Sequence, residues 1–212
     1  MKLLYFKEHL SCINYQINVN TAFVYYNLEK DSVSKIDNSA SPCILFLLDG
    51  EVSIDSGEYQ NVHIEKDKMV LIPQHVDNKI EVIYDAKCLL LFWNKDIRVC
   101  DKVYMNSLSS YKERKKEMCV LPIRDPLQAV LNSVVAYLYA KMQCKHMHLI
   151  KQQEVLLVLR GYYTKKELFT FFSSAIASSP TIEKLVSDLS VDLSGIIISI
   201  PDSLFFPLSR SF

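Results

Sequence analysis

Short apolar runs punctuate the first 120 residues: LLYF near the start, CINYQI at 12–17, AFVYY at 22–26, CILFLL at 43–48, MVLI at 69–72, KIEVIY at 79–84 and CLLLFW at 88–93. Turn-prone polar clusters separate several of them, notably DNSASP at 37–42, DSGEY at 55–59 and PQHVDN at 73–78. Short strands spaced by turn signals predict a β-sandwich or barrel. Glu51 to Asp55 alternate polar and apolar strictly, as a half-buried strand does. Cys88 to Trp93 are apolar throughout, which predicts a strand covered on both sides.

After the charged connector YKERKKE at 111–117 the period changes. Asp125 followed by Pro126 reads as a capping side chain and a proline at the first helical position. Leu127, Val130, Leu131, Val134, Leu138 and Met142 then fall at helical spacing. A second helix is expected from about His148, with Leu149, Leu156, Leu157 and Leu159 apolar, stopping near Gly161. Thr164 with Glu167 three residues on forms a capping box that opens a third helix carrying Leu168, Phe169, Phe171, Phe172 and Ile176. Residues 179–212 follow neither pattern: eight serines, four acids and two bases, with Pro201 and Pro207 interrupting apolar runs.

Composition narrows the function classes. Half of the 212 residues are hydrophobic and 23% are charged, enough apolar material for a packed core. Twenty-four basic residues balance twenty-four acidic ones, so the whole-chain cationic footprint of a nucleic-acid binder is missing. The six cysteines are scattered without a CxxC pair. The opening MKLLYFKEHL lacks the apolar core and cleavage site of an export signal, and no run approaches the ~18 apolar residues of a spanning helix. The chain is therefore expected in the cytoplasm, with free thiols and no membrane partner.

Two stretches carry a family resemblance. LFLLDGEVSIDSG at 45–57 with IEKDKMVLIPQH at 64–75 looks like the cupin-type hairpin of a sensor domain, and KQQEVLLVLRGYYTKKELFTFF at 151–172 is similar to the helical segment that follows it. Over roughly residues 40–178 the chain resembles the N-terminal half of an AraC-type transcription regulator. The resemblance implies an α+β fold: a cupin-like β-barrel or jelly roll over 1–120, then about three helices over 121–178 that serve dimerisation. It also implies a pair of helix-turn-helix motifs over about 100 further residues. Residues 179–212 are too few and too acidic for that, and read as a truncated or frame-altered remnant. DNA contact is accordingly expected only through a C-terminal domain that is not part of this sequence.

Candidate chemistry is sparse. Metal-binding cupins present two histidines one residue apart, a glutamate and a later histidine. Here His63 stands alone, and Asn78 occupies the place of the later histidine, so no metal or other cofactor is expected. Cys144, His146 and His148 are close in sequence, but residues two apart point to different faces of a helix. No GxSxG, phosphate loop or HExxH is present, so no catalytic residue is assigned. The resemblance puts His75 at the barrel mouth, where it is a candidate ligand contact. Tyr25, Phe46 and Trp93 are aromatic strand residues that either line a pocket or form plain core. The basic run Lys112, Arg114, Lys115 and Lys116 reads as a solvated connector.

The stripe of Leu127, Val130, Leu131, Val134, Leu138 and Met142 either packs on its own barrel or pairs with a second subunit. Resemblance favours a homodimer. The leading expectation is the effector-sensing and dimerisation half of an AraC-type regulator, answering an unidentified small molecule and unable to read DNA by itself. The alternatives are a small metal-dependent cupin enzyme and a free-standing antagonist that dimerises with full-length regulators.

Overall fold

The computed structural model describes residues 22–92, 118–142 and 144–178. The expectations for LLYF, CINYQI, Trp93, the 111–117 connector and residues 179–212 lie outside the described residues. The fold is α+β: among the described residues, seven antiparallel strands are followed by three helices. The strands are β1 (Phe23–Leu28), β2 (Val33–Ser34), β3 (Cys43–Ser56), β4 (Tyr59–Glu65), β5 (Lys68–Ile72), β6 (Asn78–Phe92) and β7 (Val120–Pro122). The helices are α1 (Asp125–Tyr139), α2 (Lys145–Tyr162) and α3 (Lys165–Ser178).

Two long strands organise the sheet. CILFLL and the alternating residues after it form one strand, β3; KIEVIY and CLLLF likewise form one strand, β6. At one end the strand order is β1-β6-β3-β5-β7, while β2 joins β6 and β4 joins β3 at the other end. β2 and β4 escape the hydrophobic pattern because one has two residues and the other, YQNVHIE, buries only Ile64.

The break that the sequence shows between the two halves of β3 is a bulge. Before it, the odd-numbered Cys43, Leu45 and Leu47 face one apolar cluster on the sheet; after it, the even-numbered Val52 and Ile54 do. The β3–β6 register shifts between Leu47 and Val52, where five steps along β3 match six along β6 from Cys88 to Val82. So β3 changes parity, β6 keeps its own, and both keep apolar side chains on the same face. Gly50 sits in this bulge with φ +84, and a Cβ there would lie 2.2 Å from the Asp85 carbonyl oxygen. Only glycine lets β3 cross β6 this closely.

Beyond the bulge one face of each long strand is covered; before it, both are. Cys88, Leu90 and Phe92 belong to that first cluster, whereas Leu89 and Leu91 belong to a second cluster shared with the helices. The two-sided burial expected of this run therefore holds from Cys88 to Phe92. Helix α1 buries Leu127, Val130, Leu131 and Val134 in that second cluster, α2 adds Val155, Leu156 and Leu159, and α3 adds Leu168, Phe169, Phe171 and Phe172.

The helix ends differ from expectation in detail. Arg124, not Asp125, is the N-cap of α1, and Asp125 instead places its charge in the first turn. Helix α2 starts three residues before His148, and Leu157 lies exposed on its outer face. The capping box is present: the Thr164 amide donates to Glu167 Oε2 at 2.7 Å, and the Glu167 amide to Thr164 Oγ1 at 3.2 Å. Glu167 also pairs with Arg124 at 2.6 Å, and the Arg124 guanidinium lies 4.3 Å from the centre of the Tyr163 ring. The Tyr163 hydroxyl donates to the Pro122 carbonyl at 2.7 Å, tying the β7–α1 junction to the α2–α3 turn.

Two glycine substitutions test the bulge. Gly50→Ala should lower unfolding stability by about 3 kcal/mol or more, since it strains the backbone and pushes two paired strands apart. Gly161→Ala, whose Cβ would meet nothing within 4 Å, should leave stability unchanged or raise it by up to about 1 kcal/mol. Urea titrations followed by circular dichroism check both.

Candidate functional site

A cavity of about 280 Å³ opens where β1, β2 and the segment 35–37 meet β6. Its lining follows the strand period. Tyr26 and Leu28 of β1, with Ile80, Cys88, Leu90 and Phe92 of β6, are even-numbered and face it, joined by Ser34, Lys35, Ile36 and Asp37. The odd-numbered Phe23, Tyr25, Leu89 and Leu91 of the same two strands pack into the helix layer. Burial pushes the Cys88 thiol up to about 12, so it stays protonated and forms part of an apolar floor.

Two asparagines fix the rim. Asn78 accepts from the Ile36 amide at 2.8 Å and donates to the Ile36 carbonyl at 2.9 Å, closing a two-bond clamp across 42 residues of sequence. Buried Asn38 donates to the carbonyls of Pro73 at 2.6 Å and Val76 at 2.9 Å. Asp37 accepts from the Ser39 hydroxyl at 2.6 Å and the Ser39 amide at 3.1 Å, and these bonds hold its carboxyl below the usual range. Lys35 approaches Asp77 at 3.8 Å with both side chains largely in solvent, a weak pairing.

On the helix side, His148 in the first turn of α2 joins that helix to β1. Its Nδ1 accepts from the Phe23 amide at 3.1 Å, and its ring stacks on Phe23 with centroids 6.1 Å apart. Nδ1 being the acceptor, the neutral ring carries its hydrogen on Nε2, which is buried and has no hydrogen-bond partner. Burial pulls the imidazole down from 6.5 to about 4. Nothing in the sequence singled out His148 for this contact, because its partner lies 125 residues away.

The structure separates the sequence candidates. Phe46 is fully buried between sheet and helices, on the face opposite the cavity. Tyr25 lies on that same face, its ring 5.4 Å from that of Tyr139; burial and then the Tyr139 partner push its phenol up to about 12. His75 is an exposed turn residue with φ +60, and it is absent from the cavity lining. Trp93 lies outside the described residues. Leu127, Val130, Leu131 and Val134 are buried in the cluster shared with the sheet, Leu138 is partly buried against the same cluster, and Met142 is half-buried after the helix. The cavity residues Leu28, Ile36 and Leu90 carry no signal beyond ordinary strand periodicity, and Asn78 drew notice only for not being a histidine.

Among the described residues the donors do not fit a metal. His63 Nε2 pairs with Glu51 at 3.0 Å at the exposed β3–β4 hairpin, and the Asn78 amide is committed to Ile36. Among the described residues no group of three His, Cys, Asp or Glu side chains converges. Nor is any helix there long and apolar enough to cross a membrane. The four cysteines described, Cys43, Cys88, Cys119 and Cys144, are free thiols.

No protein-family model matches the chain, and no curated protein matches it. Among solved structures, 82% of the chain is similar to 66% of apo ToxT from Vibrio cholerae, at 16% identity and a TM-score of 0.48. A Bacillus subtilis oxalate decarboxylase is matched over 36% of this chain and 22% of its own, at 11% identity and TM-score 0.31. A cupin 2 conserved barrel domain protein from Leptotrichia buccalis is matched over 35% of each chain, at 16% identity and TM-score 0.32. The chain thus spans about a fifth of the length of the oxalate decarboxylase chain. At these scores the likenesses decide neither activity nor ligand.

The His148 contact has a pH signature. Above pH 6.5 the ring is neutral in both folded and unfolded chains and contributes no slope. Between 6.5 and about 4 the unfolded chain takes up a proton that the folded chain refuses, so stability falls with falling pH. The loss should total on the order of 3 kcal/mol. Urea midpoints at pH 7, 5.5 and 4.5 should fall less steeply in His148→Phe than in the parent; equal slopes would show that His148 is not held neutral.

Proposed function

We propose that the described part of this chain is the effector-sensing and pairing half of an AraC-type transcription regulator, acting by allostery. One observation carries the reading: β1 and β6 line a cavity with one face and hold the helix layer with the other. A molecule that spreads the cavity displaces Leu90 and Tyr26, and their chain neighbours Leu89, Leu91 and Tyr25 press on the helices. The Phe23–His148 hydrogen bond passes such a shift to the first turn of α2. A ligand biases the two arrangements only by its difference in affinity for them.

Pairing with a second copy is assigned to α2, since four residues of the α1 stripe, Leu127, Val130, Leu131 and Val134, are already buried in the chain's own core. Ile150 and Leu157 are 64% and 66% exposed and lie seven residues apart, on one face of the helix. Around a two-fold axis between residues 153 and 154, each Ile150 meets Leu157 of a second copy. Contact with a promoter is assigned to none of the described residues, in keeping with a chain of zero formal charge.

Sedimentation of the full chain over a concentration series tests this reading. The parent should form a dimer, and the double variant Ile150→Glu with Leu157→Glu should raise the dissociation constant at least about a hundred-fold with an unchanged circular dichroism spectrum. A parent that stays monomeric, or a folded variant that still pairs, contradicts it. Stoichiometric iron, manganese or zinc retained through dialysis would instead favour a cupin enzyme.

A further inference from the structure

The cavity's chemistry restricts what enters it, given the sensing role proposed above. Its floor is Ile80, Leu90, Phe92 and the protonated thiol of Cys88, with Leu28 and Ile36 on the walls. A sugar needs several convergent donors and acceptors, and this floor offers one weak thiol. A long acyl chain needs a deep channel, whereas about 280 Å³ lies just below the usual range for drug-sized ligands.

Net charge is disfavoured in both signs. The Lys35 ammonium and the Asp37 carboxylate stand two residues apart on one rim, and the Asn78 clamp on Ile36 fixes the residue between them. An anion drawn to Lys35 meets Asp37, which its two bonds from Ser39 keep ionised. A cation drawn to Asp37 meets Lys35, whose ammonium is only weakly engaged by the solvent-exposed Asp77 at 3.8 Å. Neutral polar contacts remain at the Tyr26 and Ser34 hydroxyls, at the same opening.

The geometry points to an uncharged one- or two-ring aromatic compound with a single hydroxyl or carbonyl, its ring on the Leu28–Ile36–Phe92 surface and its polar end at the rim. Uncharged rings gain from apolar contact and leave the balanced rim undisturbed.

The test uses the full chain and three probes of one ring system, followed by their own fluorescence anisotropy at pH 7: 2-naphthol, 2-naphthoate and 2-naphthylmethylammonium. 2-Naphthol should bind with a Kd on the order of 100 μM, and each charged probe at least about ten-fold more weakly. Ile36→Trp and, separately, Leu28→Trp fill the cavity from its half-buried walls and should abolish 2-naphthol binding. Tyr84→Ala, in a separate open groove along residues 81–84, should leave it unchanged. Equal or tighter binding of either charged probe, no binding of any probe, or full 2-naphthol binding by a folded Ile36→Trp or Leu28→Trp chain overturns the assignment. The dimer dissociation constant, measured with saturating 2-naphthol, separates this claim from the sensing role. Uncharged-selective binding that leaves pairing unmoved upholds the ligand class and defeats sensing; a charged probe that binds and shifts pairing does the reverse.

Discussion

Two-sided burial of a single strand is the constraint on which the rest of this structure depends. From Cys88 to Phe92, β6 sends alternate side chains into two separate apolar clusters. Leu89 and Leu91 keep the helices on the sheet, while Leu90 and Phe92 close the floor of the cavity. A strand cannot shift one set without the other, because the side-chain period of two is fixed by the backbone. Cavity and helix layer thus share a single strand.

The bulge at Gly50 makes this arrangement possible. Across it β3 advances one residue fewer than β6 and changes parity, so that Val52 and Ile54, with Ile64, join Leu45 and Leu90 in one cluster. The far ends of β3 and β6 then need cover on one face only, and Glu51, Ser53 and Asp55 are free to be polar. The rim is secured separately by Asn38 and Asn78, whose amides bond backbone groups that would otherwise lie unpaired beside an apolar pocket.

Much of the fold was legible from hydrophobic spacing, and little of the candidate site was. The alternation at Glu51 to Asp55, the unbroken run to Phe92 and the Thr164–Glu167 box each report a local rule, and local rules are written in adjacent residues. Chain breaks were harder: the polar Asp49–Gly50 step suggests the end of a strand, but is a bulge inside one. Phe46 and Tyr25 look like pocket residues in sequence because aromatic residues on either face of a strand read alike, and parity is settled only by what packs behind. His148 and Asn78 act through partners 125 and 42 residues away, and no window on the sequence contains both ends.

Amide hydrogen exchange measures the proposed coupling most directly. Filling the cavity with a tryptophan at Ile36, with a tryptophan at Tyr84 in the outer groove as the control, should alter protection at the Phe23 amide and through the first turn of α2 around His148. The control should leave both unchanged. Exchange differences confined to β1, β2 and the 35–37 segment, with α2 untouched, would contradict the claim that one strand serves the cavity and the helices together.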